Sequence, residues 1–255
     1  MLIHYLSDLH LEFIKTSELD NFLKQIEPKY EDICVLAGDI GNPYSKNYDE
    51  CMKYMNNSFK KTFVITGNHE YYNNGKIIEE TNDFLQIYFK KYSNISFLNN
   101  SYEYYDTYCF VGTTLWSYIT NPEYKINDTK AIKNFDYSKY NKLNKIAIDF
   151  LEDTVKHNTN LIIISHHVPS YSLIDAKYKV KQMLPYNQWF YCDMDSFIEA
   201  NKHKLKCWIY GHTHSQSSTL IENIPFLCNP IGYPGERLFE ENTVFTCQVI
   251  LSDKQ

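Results

Sequence analysis

The sequence predicts an α/β fold in which two β-sheets lie back to back with helices on the outside. Short continuous runs of apolar, largely β-branched residues recur along the chain and end in polar tips. Stretches of helical character separate the early runs, and from about residue 95 strands follow one another with no helix between them. Apolar runs of four or five residues suit strands covered on both faces. The early β-α alternation predicts a sheet carrying helices, and the later succession of strands fits a second sheet better than one continuously wound sheet.

In chain order, residues 2–6, 33–37 and 63–66 read as strands, with helices at 18–27, 49–57 and 77–91. Residues 95–98, 102–106 and 108–114 read as consecutive strands joined by Asn-Asn-Ser and Asp-Thr turns. Apolar residues at 143, 146, 147, 150, 151 and 155 predict a helix over 141–156. Residues 161–164, 207–210, 224–228 and 244–251 complete the strands. Two stretches, 119–140 and 169–193, lack periodicity and are rich in Tyr, Asn and Lys. Irregular segments of this length are lids or binding loops, or else plain surface insertions. No linker, repeat or low-complexity segment divides the chain, so residues 1–255 are expected to form one domain.

With 255 residues, 44% hydrophobic and 22% charged, the chain has ordinary globular composition, which excludes disordered and fibrous classes. No apolar run approaches the roughly 18–20 residues of a membrane span, and MLIHYLSDLH lacks the pattern of a signal peptide. Seven scattered cysteines without a CxxC pair read as reduced thiols, and the expected location is cytoplasmic. A net charge of −6 counts against a protein that grips nucleic acid over a broad surface. Every basic residue except Arg237 is lysine, which with abundant asparagine and 23 tyrosines reads as a genome poor in G and C rather than a functional signal, and makes the surviving Arg237 worth noting.

Five strand tips carry the chemistry: Asp8-Leu9-His10, Gly38-Asp39, Gly67-Asn68-His69-Glu70, Ser165-His166-His167 and Gly211-His212-Thr213-His214. Each alone is unremarkable as a turn, a cap or a structural histidine. Together they matter, because strand C-termini converge on one edge of a sheet. Imidazole, carboxylate and amide donors without cysteine suit Mn²⁺, Fe²⁺, Zn²⁺, Co²⁺ or Ni²⁺. Seven donors are too many for one tetrahedral catalytic zinc and about right for two ions sharing a carboxylate. The two-residue spacing in Asp8-Leu9-His10 and His212-Thr213-His214 would, on extended backbone, turn both donors to one face.

SDLHLEF, LAGDI, GNHE, ISHH and GHTH, in that order over residues 1–214, resemble the five motif blocks of the calcineurin-like metallophosphoesterases. CNPIGYPGE and GTTLWS are similar to segments of small bacterial and phage members. The resemblance implies a four-layer αββα architecture of two mixed sheets flanked by helices. It implies one ion held by Asp8, His10 and His214, a second by Asn68, His166 and His212, and Asp39 bridging them. Manganese is expected first, with iron, zinc, cobalt or nickel as alternatives. Such a pair generates hydroxide from a shared water and neutralises charge in the transition state. His69 is the expected acid for the leaving group. His166 is favoured over His167 as the ligand, leaving His167 beside the metal site or facing substrate. Glu70 stands where many relatives carry Asp and is expected to orient a neighbouring histidine. Ile231 stands where some relatives carry a basic residue, a contact Arg237 could take over.

The expected activity is hydrolysis of a phosphomonoester or phosphodiester, on a small phosphoester or nucleotide, with no membrane partner and no clamp for duplex nucleic acid. The alternatives are a nuclease acting on single strands and a non-catalytic scaffold that keeps the fold. Tyr71, Tyr72, Tyr171, Tyr186 and Tyr191 either stack on a base or pack in the core.

Overall fold

The computed structural model describes residues 1–26, 32–236 and 247–250. The two expected sheets are both present. The first has the order β11-β1-β2-β3-β4, built from Cys247–Ile250 (β11), Leu2–Leu6 (β1), Ile33–Ala37 (β2), Lys61–Ile65 (β3) and Ile95–Phe97 (β4). β1 to β4 run parallel, and β11 closes the edge antiparallel to β1. The second sheet has the order β5-β6-β7-β8-β10-β9, from Ser101–Tyr105 (β5), Tyr108–Thr113 (β6), Leu161–Ser165 (β7), Leu205–Tyr210 (β8), Ser217–Ile221 (β9) and Ile224–Cys228 (β10). Its four inner strands, β6, β7, β8 and β10, run parallel, flanked by antiparallel β5 and β9.

Alternation along each strand builds the layers. Ile33, Val35 and Ala37 of β2 face the other sheet, while Cys34 and Leu36 face the helices. Between the sheets the rings of Phe63 and Phe110 stack with centroids 4.0 Å apart. The layers press together at Gly112, where an added Cβ would stand 2.3 Å from Leu98 Cβ and 2.8 Å from Ile65 Cγ2. The outer face of the first sheet is covered by Leu19–Lys24 (α1), Lys46–Ser58 (α2) and Ile78–Tyr88 (α3). Tyr137–His157 (α5) and Asp195–Asn201 (α6) cover the second.

Several boundaries differ from expectation for local reasons. α2 begins before residue 49 because Ser45 caps it, its Oγ accepting from the Tyr48 N–H at 3.2 Å. α5 begins at Tyr137 because Asp136 accepts from the Lys139 N–H at 2.9 Å. The three consecutive strands do not share a sheet: β4 ends the first and β5 opens the second. β9 is unanticipated because it is mostly exposed and shows no apolar alternation, and α6 because only Ile198 of it is buried. Of the strand expected over 244–251, residues 247–250 are described.

The two irregular stretches are ordered against one another. Asp128–Ala131 (α4) and the first turn of α5 lie in one, and three short 3₁₀ turns lie in the other. Gln188 Oε1 accepts from the Thr120 and Asn121 N–H groups, and Trp189 Nε1 donates to the Tyr124 carbonyl at 2.6 Å. Both stretches stand over the C-terminal ends of β3, β7 and β8 and supply walls of the cleft there. The six described cysteines, Cys34, Cys51, Cys109, Cys192, Cys207 and Cys228, are buried free thiols. Among the described residues no helix is long and apolar enough to cross a membrane.

Candidate metal centre

Asp8 and His10 follow β1, Asp39 follows β2, Asn68 and His69 follow β3, His166 follows β7, and His212 and His214 follow β8. Parallel strands place these five tips at one edge, and the eight side chains meet there. Asp8, His10 and His214 offer ligand atoms within 4.8 Å of one another, as do Asp39, His166 and His212. Asp39 Oδ2 lies 3.3 Å from His166 Nε2 and 3.9 Å from His10 Nε2, between the two groups. Asn68 Oδ1 lies 3.1 Å from His166 Nε2.

The two-residue spacing works through a backbone other than the extended one expected. Asp8, His10, Asp39, His212 and His214 all have positive φ, from +46° to +70°. Non-glycine residues adopt this left-handed region at a cost, and clusters of them mark functional sites. The loops are stitched to each other: the Asp8 N–H donates to the Gly38 carbonyl, the His10 N–H to the Asp39 carbonyl, and the His212 N–H to the Asp8 carboxylate. Gly38 and Gly67 are required by closeness, since a Cβ on either would come within 3 Å of the facing loop.

Each of four histidines is fixed through one ring nitrogen. His166 Nδ1 donates to the Ala37 carbonyl (2.9 Å), His214 Nδ1 to Glu236 (2.6 Å), and His10 and His69 Nδ1 both to Glu12 Oε1 (3.2 and 2.7 Å). A carbonyl or carboxylate only accepts, so the proton sits on Nδ1 and the Nε2 lone pairs face inward. His10 Nε2 then meets His214 Nε2 at 3.0 Å, and His166 Nε2 meets His212 Nδ1 at 3.2 Å. The facing lone pairs of His10 and His214 repel unless a cation or proton lies between them. The other ring nitrogen of His212, Nε2, is buried without a hydrogen-bond partner. This donor set fits divalent metal ions.

The buried carboxylates and imidazoles also shift one another's protonation. Burial alone would raise the Asp8 and Asp39 carboxyls, but His214 beside Asp8 and His166 beside Asp39 outweigh it and hold both below the usual carboxylate range. Burial opposes charge on His166, and Asp39 overcomes it, lifting His166 to about 10. Burial and the adjoining His167 and His166 push His212 far down, leaving a neutral imidazole. Burial likewise opposes charge on His69, and Asp39 and Glu12 override it, so its pKa is raised.

Two sequence expectations need correction. Glu70 does not orient a histidine. Its buried carboxylate accepts from the backbone N–H groups of Gly67 (2.6 Å), Ile40 (2.7 Å), Asp39 (3.1 Å) and Gly41 (3.3 Å), tying the loop after β3 to the loop after β2. Glu12 holds His69 instead. His167 does not face substrate: it is fully buried, with Nδ1 3.2 Å from the Thr114 carbonyl and Nε2 2.7 Å from the Tyr140 hydroxyl. Burial and the neighbouring His166 push it down to about 3, so it stays neutral and packs against His212. Arg237, expected as a substrate contact, lies outside the described residues. Ile231 is buried among apolar side chains over the first sheet.

Residues not foreseen complete the site. Asn68 Nδ2 donates to Asp128 Oδ1 at 3.0 Å, which turns its Oδ1 toward the cluster. The Tyr72 hydroxyl donates to the same carboxylate oxygen, and the Tyr140 hydroxyl lies 3.1 Å from Asp128 Oδ2. Asp128→Asn puts an amide N–H₂ among these donors. Affinity for the second ion is expected to fall about 10–100-fold in a metal titration, and unchanged affinity would show that Asn68 orients itself. Tyr72 stacks on His69 at 4.1 Å, and the Tyr233 hydroxyl lies 3.1 Å from His69 Nε2. Tyr71 belongs to the core, while Tyr171 packs on Tyr191 and Tyr186 on Tyr124.

The family model described as calcineurin-like phosphoesterase matches residues 1–216. An uncharacterized protein of Acanthamoeba polyphaga mimivirus is 31% identical over 262 residues, covering 92% of each chain. Among solved structures, the phosphopantetheinyl hydrolase of Mycobacterium tuberculosis superposes with a TM-score of 0.77 at 13% identity, over 98% of this chain and 96% of that one. A putative 5'-nucleotidase from Staphylococcus aureus superposes with a TM-score of 0.51 at 14% identity, over 89% of this chain and 48% of that one.

Proposed function

This chain belongs to the calcineurin-like phosphoesterase family, and from that premise we propose that it hydrolyses a small phosphoester at the edge where the five strand tips meet. Asp8, His10 and His214 would hold one divalent cation and Asn68, His166 and His212 a second, with Asp39 standing between the two groups. Bound there, the pair supplies Lewis acidity and a water-derived nucleophile at neutral pH, with manganese the first metal to test.

The protein's own groups do the rest. His69 carries a proton at Nε2 to the leaving oxygen, and Glu12, 2.7 Å from its Nδ1, fixes the ring and favours the protonated form. Asp128 keeps the Asn68 carbonyl oxygen turned inward. Phe190 packs over the His212 ring at 4.9 Å and shields that side from water.

The observation that carries this reading is the inward convergence of the His10 and His214 lone pairs, each ring held by a carboxylate behind it, beside His166, which the Ala37 carbonyl turns toward Asp39 and His212. The test is metal removal. Chelation followed by dialysis is expected to lower turnover of p-nitrophenyl phosphate and bis-p-nitrophenyl phosphate at least about 100-fold, with Mn²⁺ restoring it. Turnover indifferent to stripping would refute the reading, and preferential cleavage of a single-stranded oligonucleotide would move the substrate class to nucleic acid.

A further inference from the structure

The segment CNPIGYPGE supplies none of the donors of the centre, yet it is fastened to the loop after β1. The Ile231 N–H donates to the Ser7 carbonyl at 3.0 Å and the Gly232 N–H to the Asp8 carbonyl at 2.9 Å. Glu236 Oε2 accepts from the Tyr233 N–H at 2.8 Å as well as from His214 Nδ1. These ties lay Tyr233 across the cluster, its ring centroid 4.5 Å from that of His10 and 4.6 Å from that of His214. Its hydroxyl stands 3.1 Å from His69 Nε2.

His69 is shut in around that contact, with 7% of its surface exposed. Glu12 engages Nδ1 at 2.7 Å, the Tyr72 ring stacks on one face at 4.1 Å, and the His10 ring meets it edge-on at 4.4 Å. Nε2 is the nitrogen left to deliver a proton, and the Tyr233 oxygen is already its partner. Tyr233 itself is partly exposed and borders the cleft.

Resting on the phosphoesterase reading above, we infer that Tyr233 is a second catalytic residue: its hydroxyl, rather than the His69 ring, touches the leaving oxygen and protonates it, and His69 resupplies the proton. A hydroxyl is one donor with two acceptor lone pairs, so it can accept from Nε2 and donate into the cleft at the same time. As the P–O bond breaks, the leaving oxygen takes the Tyr233 hydroxyl hydrogen and departs as an alcohol. The Tyr233 oxygen takes the proton from Nε2, and His69 keeps its Nδ1 proton against Glu12. The tyrosine ends as it began, and the proton lost by the attacking water restores His69. Such a hand-over needs a phenol that does not swing away, which the ties at 231–233 and the two imidazole rings provide.

The test is Tyr233→Phe, which removes one oxygen and keeps the ring against His10 and His214. With Mn²⁺ present, kcat is compared on phenyl and p-nitrophenyl phosphate, and on diphenyl and bis-p-nitrophenyl phosphate. Each pair has nearly one shape, but the phenyl leaving group needs a proton more. Tyr233→Phe is expected to lower turnover of the phenyl ester at least about tenfold more than that of its p-nitrophenyl match, as His69→Gln does. The variant carrying both substitutions should lose no more than about twofold beyond the worse single one, because residues on one proton path act as a unit. An unaltered phenyl-to-p-nitrophenyl ratio in a Tyr233→Phe protein that melts like wild type overturns the inference, as do losses that multiply in the double variant. Faster turnover by Tyr233→Phe would make the tyrosine a cap on His69 and overturn it too. Failure of the wild type on all four esters would remove the phosphoesterase reading, and this inference with it.

Discussion

Asp39→Asn is expected to give a folded protein that has lost hydrolysis by at least about 10²–10³-fold and most of its bound divalent metal. Asp39 uses its two oxygens differently. Oδ1 accepts from the His69 backbone N–H at 2.8 Å, a contact an asparagine oxygen can keep. Oδ2 faces His166 and His10, where the substitution puts an N–H₂ group that cannot bind a cation. Asparagine also tolerates the left-handed backbone at this position, φ +53°, better than most residues. Melting temperature should therefore hold while metal content and rate fall together. A near wild-type rate would remove Asp39 from the bridging role.

His69→Gln should produce the second largest loss, with a dependence on the leaving group that Asp39→Asn lacks. General acids contribute about 10²–10⁴-fold, but only where the departing oxygen needs a proton. Alkyl phosphoesters are expected to lose that full factor. p-Nitrophenyl esters, whose leaving group departs readily as an anion, should lose far less. Glu12→Gln should show the same pattern at smaller amplitude, because the ring keeps a partner but loses the charge that favours its proton. An equal loss for both ester types would make His69 a structural residue, held by Glu12 for the sake of the loop.

The sequence makes legible whatever depends on side-chain type at short range. The inner strands show as unbroken apolar runs because both faces are buried, and the ligands show because they stand at the ends of those runs. β9 does not show: an edge strand that exposes Ser218, Thr219 and Leu220 and fully buries none of its residues has no apolar pattern to detect. The residues missed at the site act across the fold. Asp128 meets Asn68 from sixty positions away, and Tyr233 reaches His69 from a segment after the last strand of the second sheet. Glu12 was visible, two places past His10 within SDLHLEF, but its partner His69 was not. The donor spacing of two residues works here because alternate residues adopt left-handed backbone, not because the chain is extended.

Glu70 carries a consequence for how the centre fills. Its four amide contacts tie the loops after β2 and β3 together through protein groups alone, so Asp39 and Asn68 would be presented to an ion by the backbone behind them. Little ordering entropy would then be subtracted from the ion's affinity, and stabilisation of the fold should climb with free metal as plain mass action requires.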